Sequence, residues 1–185
     1  LNTFKKIGIE TAIHSDLHEI KKAKKIILPG VGAFDAAMQR LNDSGLREVL
    51  DMKVKEDNIP ILGVCLGMQL LTEGSEEGNL PGLGWIKAKT KKFKLKGDLK
   101  IPHMGWNEAL PSKELSLTKD LKNPRFYFVH SYYVKVEDES NCFMKTNYGI
   151  DFASAIFRGN VFGVQFHPEK SHKFGMKLLK NFAEI

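Results

Sequence analysis

The segment Gly63–Gly67, which reads Gly-Val-Cys-Leu-Gly, has the residue types of a nucleophile on a strand-to-helix turn. It follows the apolar run Ile59–Leu62 and leads into a helical pattern that begins at Met68. Two glycines beside a reactive side chain permit the sharp turn that presents Cys65 above the end of a strand. The start of a helix beneath a thiol also favours the nucleophilic thiolate. The alternative is a small buried core cysteine, and these five residues alone do not decide between the two.

A cysteine nucleophile needs a base to take its proton, and a third group that orients the base improves it. His167 and Glu169 follow the strand-like run Val161–Phe166, so an imidazole and a carboxylate leave the same strand end together. Pro168 stiffens the turn between them. The spacing is that of a base and its orienting partner. Taken alone, the motif more often holds a hydrogen-bonded histidine beside a solvated carboxylate.

A third element, Pro29–Gly32, lies between the buried run Ile26–Leu28 and a helix that begins near Ala33. Glycines free the backbone there, and a peptide N–H that points into a site can stabilise an oxyanion intermediate. An ordinary strand-to-helix turn also favours glycine and proline, so the segment alone is better explained as such a turn.

Length and composition limit the classes to which the chain can belong. It has 185 residues, 42% of them hydrophobic and 27% charged, which is typical of one globular domain. Its two cysteines exclude a disulfide framework, and its net charge of +6 favours anionic substrates or an acidic partner without requiring nucleic acid. No apolar run is long enough to span a membrane and the first residues lack a signal peptide's apolar stretch, so we predict a cytoplasmic protein.

We predict a single domain over residues 1–185, because neither a repeat nor a linker interrupts the chain. Within the apolar runs Lys25–Leu28 and Ile59–Cys65, the residues Ile26–Leu28 and Ile61–Val64 lack polar alternation, which indicates strands covered on both faces of a parallel sheet. An earlier apolar run covers Ile9–Ile13, and Ala33–Val54 is amphipathic with helical spacing. The first half is therefore predicted to be α/β.

The second half is predicted to consist mostly of antiparallel strands, followed by an amphipathic helix from Ser171 to the end. The fold expected for the whole chain is α/β, with a central, mostly parallel sheet, helices on both faces and an antiparallel extension. The β-rich runs of the second half are Trp85–Lys96, Phe126–Val136, Asn141–Thr146, Phe152–Phe157 and Val161–Phe166.

The most basic stretch, Lys87–Lys100, alternates lysines with other residues. Only Phe93 offers a stacking surface within it, so the solvated face of an edge strand explains the lysines better than nucleic-acid binding does. A smaller possibility is that they draw an anionic, phosphate-bearing substrate toward a partner. No Cys/His cluster completes a ligand set, so we predict neither metal nor cofactor. His130 is interpreted as a hydrogen-bonded strand residue near the pocket and not as a second base.

Taken together, these segments resemble class I glutamine amidotransferases, and among them the glutaminase subunits of imidazole glycerol phosphate synthase. The resemblance spans nearly the whole chain, and its most specific part is Gly-x-Cys-x-Gly with a distant His-Pro-Glu. The matching segments are LPGVGAF (28–34), ILGVCLGMQLL (61–71), GSEEG (74–78), PHMGWN (102–107), YFVHSYY (127–133) and FGVQFHPEKS (162–171).

The resemblance implies hydrolysis of L-glutamine to glutamate and ammonia. Cys65 resembles the nucleophile that forms a glutamyl thioester, His167 its base and acid, and Glu169 the group that orients His167. The remaining implied positions supply oxyanion-binding backbone and hold the substrate. They are Gly30, Val31, Gly32 and Leu66 for the oxyanion, and Gln69, Glu77, Ser131 and Tyr132 for glutamine.

The resemblance also implies a heterodimer with a barrel-shaped cyclase subunit, which receives the ammonia and forms imidazole glycerol phosphate in histidine biosynthesis. The implied interface contains the segment Met104, Gly105, Trp106 and Asn107, together with Lys170. From its residue type alone, Trp106 is more often a core aromatic than an interface anchor.

Two alternatives and one departure accompany this interpretation. Asn79–Trp85 and Tyr148–Phe152 look more like paralogues that supply ammonia for acetamidino-sugar formation in surface polysaccharides. A non-catalytic binding module of the same fold is the second alternative, which the intact Cys65, His167 and Glu169 disfavour. In the family a first β-strand precedes the helix that Leu1–Gly8 resembles, and we expect this chain not to contain that strand.

Overall fold

The computed structural model describes residues 2–185, in which six α-helices and ten strands follow one another along the chain. Three short 3₁₀ helices complete the regular structure at Ser116–Thr118, Glu139–Asn141 and Pro168–Lys170. The helices are α1 (Asn2–Lys6), α2 (Leu17–Lys22), α3 (Phe34–Asp43), α4 (Leu46–Lys55), α5 (Leu66–Leu70) and α6 (His172–Glu184). The strands are β1 (Ile26–Gly30), β2 (Ile61–Cys65), β3 (Ala88–Lys92), β4 (His103–Glu108), β5 (Leu110–Pro111), β6 (Arg125–His130), β7 (Tyr132–Val136), β8 (Cys142–Asn147), β9 (Asp151–Arg158) and β10 (Val161–Val164).

The main sheet is mixed and runs in the order β1-β2-β10-β9-β7-β3, with β8 paired to β9 and β5 paired to β8. Among the strand pairs within residues 2–185, β1–β2 and β2–β10 are the parallel ones, whereas β4 and β6 form a separate antiparallel pair. The α/β class and the antiparallel extension are confirmed, but the parallel part is smaller than predicted. Parallel neighbours need long crossovers, and much of the second half is joined by tight hairpins such as that between β9 and β10.

Helices cover both faces of the sheet, as predicted. Side chains of α3, α4 and α5 pack on one face around Ile61, while side chains of α1 and α6 pack on the other around Leu62. Ile61 and Leu62 are both fully buried neighbours on β2, so the strand is covered on both sides. The unbroken apolar sequence of this strand therefore reflects its central position in the sheet.

Several boundaries differ from those predicted. The amphipathic stretch Ala33–Val54 forms two helices, because Gly45 has a left-handed backbone with φ 70° and ends the first helical path. The run Phe126–Val136 divides at Ser131 into β6 and β7, which belong to different sheets. The run Ile9–Ile13 forms neither helix nor strand and is largely exposed.

The basic stretch lies where the sequence predicted, at the edge of the sheet. β3 is the last strand of the main order, and its lysines alternate with the buried Ala88 and Thr90. Lys91 Nζ lies 3.1 Å from a carboxylate oxygen of Glu76, so part of the lysine charge is paired. Between residues 2 and 185, every helix is too short or too polar to cross a lipid bilayer.

Candidate active site

The carboxyl ends of three neighbouring strands converge on Cys65. In the parallel register, Gly30 at the end of β1 lies opposite Cys65 at the end of β2. On the other side, Val164 at the end of β10 lies opposite Val64. Ligands of open α/β sheets commonly bind at this edge, and all three predicted chemical motifs reach it.

Cys65 occupies a strained turn between β2 and α5. Its backbone has φ 56° and ψ −113°, a conformation that costs a non-glycine residue about 1–3 kcal/mol. The side chain is only partly buried, whereas the five residues of α5 that follow are all buried. The strained turn therefore leaves the thiol accessible at the strand end, as the Gly-x-Cys-x-Gly pattern predicts.

Two glycines permit the close approach of α5 to the sheet. A Cβ atom on Gly67 would overlap the carbonyl oxygen of Leu28 in β1. A Cβ atom on Gly30 would lie 2.6 Å from the backbone nitrogen of Gly67. Both obstacles are backbone or lie next to it, so only glycine at these positions lets β1, β2 and the turn pack together.

His167 and Glu169 meet within the 3₁₀ turn that follows β10. His167 Nδ1 lies 2.8 Å from Glu169 Oε1, and the His167 ring is buried. The His167 backbone is tied to β6, because its N–H donates to the Tyr127 carbonyl at 2.9 Å. The buried Ser171 hydroxyl donates to the His167 carbonyl at 2.6 Å and accepts from the Tyr127 N–H at 3.0 Å. Hydrogen bonds therefore fix both the imidazole ring and the backbone of His167.

The electrostatics of this pair favour an ion pair. The Cys65 thiol, followed by the Glu169 carboxylate, raises the pKa of His167 to about 9 against the opposing effect of burial. Burial opposes ionisation of Glu169, but the hydrogen bond with His167 and further favourable contacts hold the pKa of that carboxyl below its usual value. The other ring nitrogen, His167 Nε2, is buried and meets no described residue in hydrogen-bond geometry. The Cys65 sulfur therefore acts on the pKa of His167 by its proximity to this side of the ring and not through a formed bond. Nε2 is thus available to exchange a proton with a thiol or a substrate.

Gln69 lies on α5 and is buried, one helical turn beyond Cys65. Its Nε2 donates to Gln165 Oε1 at 3.1 Å and to the Tyr132 carbonyl at 3.5 Å. The Gln165 Nε2 in turn lies 3.8 Å from Cys65 Sγ. Sequence reasoning did not single out Gln165, although a glutamine between Val164 and Phe166 is a visible polar interruption of an apolar run.

The other predicted substrate positions surround the same strand ends. Glu77 is exposed, and its Oε2 accepts from the Phe34 backbone N–H at 3.0 Å, next to the glycine segment that follows β1. Ser131 and Tyr132 form the half-buried corner between β6 and β7. Tyr132 is joined to the site through the Gln69 contact, whereas Ser131 contributes its carbonyl to the Phe93 N–H at 3.1 Å.

The predicted oxyanion residues differ in exposure, and two of them, Gly30 and Leu66, lie beside Cys65. Gly30 is opposite Cys65 in the sheet, and Leu66 begins α5 as a buried residue. Val31 is 82% exposed, and Gly32 has φ 95°, a backbone that favours glycine. Val31 and Gly32 therefore extend from the end of β1 toward solvent.

The residues predicted at a partner interface share an exposed surface near His167. Met104 and Trp106 are 61% and 41% exposed, so the expectation from residue type that Trp106 is a core aromatic was wrong. Trp106 stacks on His172 with ring centroids 5.4 Å apart, and the exposed Lys170 places its Nζ 5.9 Å from the centre of the Tyr127 ring. Gly105 and Asn107 are half-buried between the exposed positions of β4.

Asn107 begins a hydrogen-bonded chain that sequence reasoning missed. Asn107 Nδ2 lies 3.2 Å from His103 Nε2, His103 Nδ1 lies 2.9 Å from His130 Nε2, and His130 Nδ1 lies 2.7 Å from the Tyr132 carbonyl. Because a carbonyl only accepts, each step of a neutral chain has one direction, from the Asn107 amide toward Tyr132. His130 is therefore a hydrogen-bonded strand residue near the pocket, as predicted.

Burial keeps both histidines of this chain neutral. Loss of water lowers the pKa of His103 to about 4. Burial also lowers the pKa of His130 to about 3, against the opposing effect of its hydrogen bond to the Tyr132 carbonyl. The pair thus connects the end of β4 with the Tyr132 corner without carrying charge near neutral pH.

Comparison with known proteins shows the family to which the chain belongs. Residues 2–185 match the family model described as glutamine amidotransferase class-I. The chain is 56% identical over 184 residues to imidazole glycerol phosphate synthase subunit HisH 2 of Methanococcus maripaludis, covering 99% of this chain and 91% of that protein. It is 50% identical to subunit HisH 2 of Pseudomonas aeruginosa and 48% identical to subunit HisH of Bdellovibrio bacteriovorus, in each case covering 100% of this chain and 92% of the relative.

Solved structures share the fold at lower identity. A crystal structure of a glutamine amidotransferase superposes with a TM-score of 0.75 at 19% identity, covering 99% of this chain and 89% of that chain. A glutamine amidotransferase from Thermotoga maritima gives a TM-score of 0.58 at 13% identity, covering 99% of this chain and 75% of that chain. These likenesses establish the architecture independently of close sequence similarity.

Proposed function

Because the chain belongs to the class I glutamine amidotransferase family, we propose that it hydrolyses L-glutamine to glutamate and ammonia through a thioester on Cys65. The single observation that carries the proposal is the convergence of a strained, accessible Cys65 and a carboxylate-held His167 on one edge of the sheet. A core cysteine would need neither the positive φ nor the adjacent base.

In the first half of the reaction, His167 accepts the thiol proton and the Cys65 sulfur attacks the side-chain carbonyl carbon of glutamine. The carbonyl electron pair becomes an oxyanion, which backbone N–H groups near Gly30–Gly32 and Leu66 stabilise. When the intermediate collapses, the C–N bond breaks and protonated His167 gives its proton to the leaving nitrogen. The products of this half are ammonia and a glutamyl thioester.

Water completes the cycle. His167 removes a proton from a water molecule, whose oxygen attacks the thioester carbonyl. Collapse of the second intermediate breaks the C–S bond, releases glutamate, and returns the proton to the sulfur through His167. Glu169 stays ionised throughout and holds the ring so that Nε2 faces the reacting atoms, which agrees with its lowered pKa.

The substrate is held by groups of complementary chemistry. A zwitterionic amino acid needs a carboxylate for its ammonium group and N–H donors for its carboxylate. Glu77 supplies the carboxylate, Gln69 supplies an amide, and the Ser131–Tyr132 corner supplies backbone groups. The contacts that Gln69 and Glu77 make with neighbouring backbone support this assignment, because they fix both side chains before substrate arrives.

The ammonia acceptor is a cyclase subunit of imidazole glycerol phosphate synthase, a barrel-shaped partner in histidine biosynthesis. The relatives that share about half of this sequence are themselves named as subunits of that synthase. The exposed Met104 and Trp106 on β4, the neighbouring Gly105 and Asn107, and Lys170 supply the docking surface on this chain. Exposed methionine and tryptophan side chains are typical interface anchors.

Release of glutamate from L-glutamine by the chain, co-purified with the synthase cyclase subunit of the same source, tests the proposal. Activity that disappears in Cys65→Ala and persists in Cys142→Ala is the expected result. Cys142 is the matched control because its thiol is buried and burial raises its pKa to about 11. Glutamate release that survives in Cys65→Ala would overturn the chemistry. Unchanged binding of Trp106→Ala to the cyclase would overturn the docking surface.

A further inference from the structure

We propose that Gln165 is a positioning residue for the nucleophile, which donates its side-chain N–H to the Cys65 sulfur and so stabilises the thiolate that forms when His167 takes the proton. The consequence for turnover rests on the proposed function, whereas the contact itself does not. Gln165 follows the last residue of β10, and the parallel register of β10 with β2 brings it level with Cys65. The Nε2–Sγ distance is 3.8 Å, which suits an N–H donor to sulfur.

The orientation of the Gln165 amide is fixed by its neighbours. The Gln69 Nε2 donates to Gln165 Oε1, so the oxygen of Gln165 faces Gln69 and its nitrogen faces the sulfur. Gln69 cannot be reversed freely, because the same Nε2 also faces the Tyr132 carbonyl, which only accepts. The polarity of the chain from Tyr132 to Cys65 therefore presents a donor, and not an acceptor, to the nucleophile.

Burial makes this donor effective. Gln165 is fully buried, and strand alternation places it on the same face as Gly163, where a Cβ atom would contact the Met68 side chain of α5. A buried polar group needs a partner, and a hydrogen bond to a charged acceptor is stronger away from water. An amide does not titrate near neutral pH, so Gln165 acts on the sulfur without competing with His167 for the proton.

The pH dependence of Cys65 alkylation by iodoacetamide tests the contact directly, with the label located by peptide mass spectrometry. The reaction needs neither glutamine turnover nor a partner. Gln165→Met removes the donor at similar volume, and Gln165→Glu keeps an acceptor toward Gln69 but places negative charge beside the sulfur. In Gln165→Met we expect the midpoint of the alkylation profile to move upward by about one pH unit, which lowers the alkylation rate at pH 7 roughly tenfold. In Gln165→Glu we expect a larger upward movement of the midpoint.

Gln39→Met is the matched control, because Gln39 is an exposed glutamine on α3 whose amide donates to Asp43 at 2.7 Å. Thermal melts of each variant establish that it is folded. In wild type and Cys65→Ala, the assigned side-chain amide proton signals of Gln165 provide a measurement that requires no change at Gln165. We expect one of these signals to shift when the sulfur is removed.

Unmoved alkylation midpoints in folded Gln165 variants, or amide signals that are identical with and without the sulfur, would overturn the inference. In the complex with the cyclase, Gln165→Met should lower kcat about tenfold and should also raise KM, because the Gln69 amide loses its acceptor on Gln165. Gln165→Glu keeps that acceptor, so its KM should change less than its kcat. If the Gln165 variants show the alkylation shift but wild type never hydrolyses glutamine, the proposed function fails and this inference stands. If wild type hydrolyses glutamine normally and the alkylation midpoint of the Gln165 variants does not move, the proposed function stands and this inference fails.

Discussion

His167 and the pair His103–His130 lie at similar depth in the protein, yet their pKa values move in opposite directions. The three side chains are 5%, 2% and 6% exposed, respectively. The pKa of His167 is raised to about 9, whereas those of His103 and His130 are lowered to about 4 and about 3. Burial is shared, so the difference comes from the partners: a thiol and a carboxylate in one place, and an amide, a carbonyl and each other in the second.

The comparison shows how one domain holds two kinds of imidazole at similar depth. Near Cys65 a charged ring is stabilised by Glu169, and its free Nε2 can exchange a proton. In the pair, each ring already donates and accepts within a fixed neutral chain, so a proton has no favourable place to bind. The first environment suits acid–base chemistry, and the second suits positioning.

Removing the Cys65 thiol should change the difference in pKa between His167 and the His103–His130 pair the most. Cys65→Ala deletes the largest cause of the raised pKa of His167, so this pKa should fall from about 9 toward the ordinary value while those of His103 and His130 stay low. Glutaminase activity should fall by at least about a thousandfold, because the covalent step is lost. NMR titration of the histidine ring protons and glutamate release measure the two effects. A His167 pKa that stays near 9 would assign its charge to Glu169 alone.

Removing only the carboxylate charge should have a smaller effect. Glu169→Gln keeps an oxygen that accepts from His167 Nδ1, but it loses the charge that is the second cause of the raised pKa. We expect a smaller fall in the His167 pKa than in Cys65→Ala and a roughly 10- to 100-fold loss of kcat. The same titration and steady-state assays apply. A loss as complete as that in Cys65→Ala would mean that Glu169 does more than orient the ring.

The histidine pair predicts loss of stability in acid. Because the folded pKa values of His103 and His130 lie below the value of about 6.5 for an unfolded chain, the unfolded state binds more protons below that pH. Stability should therefore fall as pH decreases from about 6.5 through 4. His103→Asn keeps an N–H donor for His130 but removes one titrating ring, so its Tm should depend less on pH in this range.

The same substitution at the exposed His14 is the matched control for this acid limb. Differential scanning calorimetry between pH 7 and pH 4 supplies the measurement. If His103→Asn and wild type lose Tm in parallel, the neutral pair does not determine the acid sensitivity.

The smallest effect should be a loss of stability at alkaline pH. It arises from a raised histidine pKa, whereas the loss in acid arises from lowered ones. The raised pKa of His167 means that its charge stabilises the fold below about pH 6.5, and that this contribution is lost as pH rises through about 9. His167→Gln should show a flatter decline of Tm between pH 7 and pH 9.5 than wild type does. Equal slopes would show that the charge on His167, which the Cys65 sulfur and the Glu169 carboxylate favour, contributes nothing measurable to stability.

The sequence predicted the positions of Cys65, His167 and Glu169 better than their surroundings, for a physical reason. These residues belong to short motifs whose turn geometry is local, so the motifs and the family resemblance together placed them at strand ends. The contact of His103 with His130 depends on the register of β4 with β6, which no local pattern specifies. The separation of the run Phe126–Val136 into β6 and β7 at Ser131 could not be predicted from the sequence either. The β propensity is continuous across the run, and only the tertiary structure places its two parts in different sheets.

The backbone bridge between His167 and Tyr127 has a mechanical consequence. Tyr127 is paired with Trp106 across β6 and β4, and its carbonyl accepts from the His167 N–H. Neighbouring strands lie about 4.8 Å apart, so roughly 10 Å of hydrogen-bonded backbone separates the outer strand from the base. Sliding β4 along its own axis would have to break these bonds or drag the imidazole with it. A displacement of the exposed Trp106 along β4 would therefore be transmitted through the backbone of Tyr127 to His167.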